Sequence, residues 1–164
     1  MSRNTTRATP ALSASAVIDA PPEKLYMLIA DYVNGHPLIL PRPPFVSLDV
    51  EQGGIGAGTV IVSGMRVLGR VQTFRATVTE PEPGRVLVET TDTGYITTFR
   101  VDPKPDGRSA EVTISTEIVR SGVAAALERW FVTRLLRPVY VRELEQLAQV
   151  AGAGAPEVSE RTSK

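Results

Sequence analysis

Few side chains in this sequence are equipped for proton transfer or metal ligation. Among 164 residues there is one histidine, His36, and no cysteine. Disulfides, thiolate nucleophiles, Cys-ligated zinc and iron–sulfur clusters are therefore excluded, and a Ser-His-Asp arrangement would have to run through His36. A single imidazole also rules out a histidine-rich metal site within one chain. His36 follows Gly35 and precedes Pro37, in a stretch that reads as a loop. Loops lie at the surface, so an exposed histidine making local hydrogen bonds is expected there; exchanging a proton with a ligand carbonyl is its functional alternative. Arg134 falls among apolar neighbours on the last helix, where a guanidinium must reach water, a carboxylate or a ligand anion; snorkelling to the sheet edge is the plainer reading. The run Gly53-Gly54-Ile55-Gly56-Ala57-Gly58 invites comparison with a phosphate cradle. The third glycine of GxGxxG would fall at Thr59, however, and a strand follows where a helix is needed, so a flexible turn is expected. Glu80 with Glu82 and Glu111 with Glu117 read as solvated surface and not as paired catalytic carboxylates. No GxxxxGK[ST], HExxH or GxSxG occurs. No catalytic residue, metal or cofactor is assigned.

Eighteen Lys plus Arg balance eighteen Asp plus Glu, which leaves no basic excess to draw the chain onto nucleic acid or anionic lipid. With 42% hydrophobic residues, the chain suits one domain with one core. No apolar window is long enough to span a membrane, and the first residues lack the apolar run of a signal peptide, so a cytoplasmic protein without membrane insertion is expected. Residues 1–10 and 151–164 carry too little apolar content to offset the entropy of ordering them, and both read as disordered tails around a domain at 11–150.

The elements that must position any site follow from periodicity. A strand at Leu12–Ile18 leads into Asp19-Ala20-Pro21-Pro22, where Asp19 offers a cap and the prolines suit a first helical turn. Leu25, Leu28, Ile29, Tyr32 and Val33 recur on one helical face until Asn34-Gly35 stops it. Residues His36 to Pro44 hold four prolines and permit only a short, apolar, bent connection. From Phe45 onward Val, Ile, Thr and Phe dominate between turn signals. Six strands are expected, about Phe45–Glu51, Thr59–Val67, Arg70–Glu80, Arg85–Thr91, Tyr95–Asp102 and Ala110–Val119, all paired antiparallel because the connections are too short for crossovers. Gly64 suggests a bulge that leaves the facing of Met65 and Arg66 open. Ser121 is a plausible cap for a long terminal helix running to about Val150. On it Val123, Leu127, Trp130, Phe131 and Leu135 share one face, and Tyr140, Val141, Leu144, Leu147 and Ala148 a rotated one, with a kink or break expected at Pro138 between them.

This order resembles the START-like helix-grip (SRPBCC) superfamily. The stretches SASAVIDAPPEKLYMLIADYVNGHPLILP, GGIGAGT, FRATVTEPEPGRVLVE, TTFRVDP and LLRPVYVRELEQLA are similar to the polyketide cyclase/dehydrase and lipid-transport branch. The resemblance implies an α+β fold in which a seven-stranded curved antiparallel sheet grips a Pro-kinked helix around an internal cavity. It places His36 near the cavity mouth, and Tyr26, Phe74, Tyr95, Phe99, Trp130 and Phe131 as its aromatic walls, with Met65, Arg66 and Arg134 as further candidate lining. Binding or sequestering a polyketide, lipid or aromatic metabolite is the function implied. The alternatives are an aldol cyclase/dehydratase using His36, Tyr95 or Arg134, and a protein-interaction module.

Overall fold

The computed structural model describes residues 10–119 and 123–162, without the side chains of 123–125. Ser121, the expected helix cap, lies outside the described residues. In chain order the elements are β1 (Leu12–Ile18), α1 (Pro22–Ala30), α2 (His36–Ile39), β2 (Phe45–Gln52), β3 (Val60–Val67), β4 (Arg70–Glu82), β5 (Val86–Thr91), β6 (Tyr95–Pro103), β7 (Ala110–Ile118), α3 (Val123–Ala151) and β8 (Val158–Thr162). All strands join one eight-stranded antiparallel sheet in the order β2-β3-β4-β5-β6-β7-β1-β8. Consecutive hairpins build most of it, and two non-sequential pairings, β7 with β1 and β1 with β8, complete it. Alternation sets the sheet's two faces. In β7, Ala110, Val112, Ile114 and Thr116 are buried, whereas Glu111, Thr113 and Ser115 are half-exposed.

The eighth strand corrects the expected count of seven, and it lies within the stretch whose composition gave no ordered element. Strand β8 pairs with β1 from Leu12↔Thr162 to Ala16↔Val158. Its pairing rests on backbone groups, which composition does not report: β1 would otherwise present an open edge. Arg137 of α3 fastens it by pairing with Glu160 at 3.3 Å and donating to the Thr162 hydroxyl.

Helix α1 ends sooner than Asn34-Gly35 suggests, because Asp31 terminates it by accepting the Val33 and Asn34 N–H groups on its own carboxylate. Asp19 caps nothing: the first turn begins at Pro21 without a side-chain cap. Leu25, Ile29 and Tyr32 are buried as the periodicity predicts, but Val33 is exposed. Gly35 is required by space. A Cβ there would lie 2.7 Å from the Leu28 carbonyl oxygen, so the turn folds back tightly enough to start α2 at once.

Helix α3 continues through Pro138 as one element. Its last half makes the grip: Leu144, Leu147 and Ala148 are fully buried against β1, β7, α1 and α2. Lys24 of α1 donates to the Ala151 carbonyl at 2.9 Å, satisfying a carbonyl at the helix end. The first half behaves differently from the expected apolar face, since Leu127 is 69% and Trp130 62% exposed. Periodicity reports which side of a helix is apolar, and not how far away the surface opposite stands. Replacing Leu144 by Ala should cost about 2–5 kcal/mol of unfolding free energy in urea titrations, whereas Leu127→Ala should stay within about 0.5 kcal/mol.

Candidate functional site

Between the first half of α3 and the concave face of the sheet lies a cavity of about 240 Å³. One water needs only ~10–15 Å³ by such a measure, so the space suits a molecule of many atoms. Its walls are the inward rows of the strands: Ile61, Ser63, Met65 and Val67 of β3, Phe74 of β4, and Tyr95, Thr97 and Phe99 of β6. Phe131, Val132, Leu135 and Leu136 of α3 face them, and Leu40, Phe45 and Leu48 close one side. Tyr95 donates from its hydroxyl to Glu128, tying β6 to α3 across the space.

The deep end is polar. His36 is buried and stacks on Tyr32 with ring centroids 4.6 Å apart, while Phe99 meets its edge at 5.6 Å. Its Nδ1 lies 2.7 Å from the Ile29 carbonyl oxygen. A carbonyl can only accept, so Nδ1 carries a proton and Nε2 turns to the cavity. There Nε2 stands 3.9 Å from Glu89 Oε1 and 4.0 Å from Glu143 Oε1, beyond hydrogen-bond reach of both. Glu89 accepts from the Tyr32 hydroxyl at 2.6 Å. The hydroxyls of Tyr140 and Thr116 bond to each other, and Thr116 meets Thr97 at 3.0 Å. Glu143 Oε1, on a residue only 2% exposed, has no hydrogen-bond partner within the protein. Burial, and secondarily the neighbouring Glu89, pushes the Glu143 carboxyl well above its ordinary range. Burial likewise raises the Tyr32 phenol, with Glu89 adding to the effect.

Local structure positions these groups. The Asp31 carbonyl accepts the N–H groups of both Gly35 and His36, and Tyr32 N–H donates to Gly54 O at 2.8 Å. The glycine-rich connection is thus a turn, as expected, and it also pins the segment that carries Tyr32 and His36. Glu89 follows Leu87 in the inward row of β5, and Glu143 lies within the buried stripe of α3.

Of the residues proposed from sequence, His36, Met65, Phe74, Tyr95, Phe99 and Phe131 line the cavity together, whereas Tyr26, Arg66, Trp130 and Arg134 do not. His36 is not the exposed loop residue expected, because the tight turn at Gly35 carries it inward. Tyr26 is buried elsewhere and donates to Glu80. Glu80 also accepts the Ala57 N–H at 2.7 Å, so it is a structural acceptor and not free surface. The bulge that left Met65 and Arg66 undecided sits at Val46 on β2, and the β3–β4 register is continuous. Met65 accordingly faces in and Arg66 out. Gly64 accommodates the bulge: a Cβ there would lie 2.6 Å from Ser47 Oγ. Arg134 is exposed on α3, and Trp130 stands outside the cavity. The sequence reading missed Glu89, Glu143, Tyr32 and Tyr140. A glutamate at an inward strand position and another inside a buried helical stripe were the available signals. Among the described residues no carboxylate or histidine cluster suits a metal ion, and no helix is long and apolar enough to cross a membrane.

The family model for polyketide cyclase / dehydrase and lipid transport matches residues 9–152. The chain belongs to that family. Its helix-grip fold is shared by KanY protein, at 26% identity and a TM-score of 0.70 over 88% of this chain and 97% of that one. The protein TTHA0849 from Thermus thermophilus is similar at 22% identity and 0.65, covering 85% of this chain and 94% of that one. The Zhui aromatase/cyclase from Streptomyces sp. R1128 is similar in fold at 15% identity and 0.66, covering 85% and 92%. No curated protein matches the chain in sequence.

For this member of the polyketide cyclase/dehydrase and lipid-transport family, the buried carboxyl carries a stability consequence. From its ordinary value of 4.5 up to its raised native value, folded Glu143 holds a proton that the unfolded chain has released. Stability therefore falls as pH rises through that window. Glu143→Gln should raise the urea midpoint at neutral pH and leave it unchanged near pH 4, removing a slope of at most about 1.4 kcal/mol per pH unit.

Proposed function

We propose that this protein binds an apolar small molecule of the polyketide, lipid or aromatic-metabolite type inside the helix-grip cavity and sequesters or presents it. The observation that carries this reading is the composition of the cavity wall. Aromatic and aliphatic side chains from β3, β4, β6 and α3 make up most of the wall, and among its polar groups His36, Glu89 and Glu143 cluster together. An apolar body gains free energy from such walls, and the few polar groups fix which end enters first. The family to which the chain belongs includes lipid transport, which supports a holding role.

The same polar end favours a second reading. A histidine whose Nε2 faces the cavity, beside a carboxyl held protonated by burial, is a base and an acid within one site. Those are the groups that aldol closure and loss of water need, and the walls would fold the chain into a reactive shape. Of the candidates offered by sequence for this chemistry, His36 and Tyr95 stand in the cavity and Arg134 does not. A model poly-β-carbonyl compound converted by the protein but not by His36→Ala would establish turnover; unchanged substrate with intact binding would leave the holding role alone.

Facing decides which substitutions matter. Met65→Trp fills the cavity and should weaken binding of a neutral apolar dye such as Nile red by at least about tenfold, read by fluorescence titration. Arg66→Ala, one residue along on the outer face, should leave it within about twofold. Equal effects from both would remove the cavity as the binding site.

A further inference from the structure

We propose that the molecule held in this cavity carries a basic nitrogen, bound as an ammonium, at the end that meets His36, Glu89 and Glu143. This rests on the cavity being a binding site and adds which chemical class it selects. The charged lining at this end is acidic: Glu89 from β5 and Glu143 from α3 face the space beside His36 from α2, with no Lys or Arg among the described lining residues. Glu143 is 2% exposed and its Oε1 has no partner within the protein. Of the nearby hydroxyls, Tyr32 donates to Glu89, and those of Tyr140 and Thr116 bond to each other, which leaves Glu143 Oε1 without a donor. His36 Nε2, an acceptor in the neutral ring, lies 3.9 and 4.0 Å from the two carboxyl oxygens, too far for a direct bond.

Two carboxyl groups and an imidazole acceptor thus converge where the Tyr32 hydroxyl serves Glu89 alone, and an ammonium brings several donors and the opposite charge. A ligand carboxylate or phosphate would add another anion to a desolvated acidic site. A neutral carbonyl could accept from protonated Glu143 but would bring no donor to His36 Nε2 and no charge to offset Glu89. Burial and Glu89 hold the proton on Glu143, and a cation placed beside both carboxyls reverses that balance, so amine binding should expel a proton.

The test uses the full chain with 4-phenylbutylamine, 4-phenylbutanol and 4-phenylbutanoate, which share one apolar body. Calorimetry at about pH 7 in two buffers of different ionisation enthalpy reads affinity and proton release together. The amine should bind at least about tenfold more tightly than the alcohol, with the carboxylate weakest. Binding of the amine, and not of the alcohol, should release up to one proton. Glu143→Gln, nearly isosteric, should abolish the proton release and shrink the preference for amine over alcohol below about threefold. An alcohol as tight as the amine, a carboxylate tighter than both, or amine binding without proton release would overturn the proposal while leaving the apolar site standing. If none of the three binds, the binding site itself falls, and the proposal with it.

Discussion

The cavity exists because the apolar anchorage of α3 is concentrated in its C-terminal half. Leu144, Leu147 and Ala148 are fully buried against β1, β7 and the two short helices, and the Lys24 bond to the Ala151 carbonyl secures the helix terminus. Burying a leucine of this kind contributes about 1.5–3 kcal/mol, so this half has a strong preference for one position. A long helix is stiff over its length. Once its C-terminal half is fixed on β1 and β7, its first half is carried over the concave face of β2–β6 at a distance that side chains only partly fill. The same stiffness explains why Leu127 and Trp130 are exposed despite lying on the apolar side of their helix.

That hollow changes the electrostatics of whatever lines it. Water screens charge efficiently, and a lining of Phe99, Leu136 and Met65 does not. Glu143 enters this environment from α3 and Glu89 from β5, so two acidic groups share a site whose surroundings disfavour two negative charges. The site relieves the conflict by holding a proton on Glu143 and by giving Glu89 the Tyr32 hydroxyl. Well-packed apolar side chains in both positions would give a more stable protein. Groups that weaken the fold while lining a cavity mark function more reliably than groups that strengthen it.

How much of this could be read from the residues depends on the range of the interaction that decides each feature. Alternation within β7, the helical face of α1 and the turn at the glycine-rich connection are settled by neighbours a few positions away, and the sequence pattern reports them directly. Strand β8 is settled by an open backbone edge far along the chain, which side-chain composition does not encode. The facing of Met65 was undecided because a bulge on β2, at Val46, leaves its only trace on β3 as Gly64. His36 looked like a loop residue since nothing local says that the Gly35 turn folds inward. Trp130 looked like cavity wall since its apolar neighbours carry no information on what stands opposite. Glu89 and Glu143 had a local signal, a charge at an inward position, but a glutamate in a strand or helix is ordinarily at the surface.

The polar end of the cavity constrains binding and catalysis through the same proton. A protein that only holds its ligand needs the Glu143 proton to stay put or to leave once, as the ligand arrives. A cyclase needs it to move to the ligand and return in every turnover, which requires an acceptor and donor within reach of one another. His36 Nε2 and Glu143 Oε1 are 4.0 Å apart, close enough to share a bound group between them and too far to pass a proton directly. Any transfer between them must therefore run through the ligand or through a water held with it. The shape of the bound molecule, set by the aromatic walls from β4 and β6, then determines whether a carbon–carbon bond lies in that path.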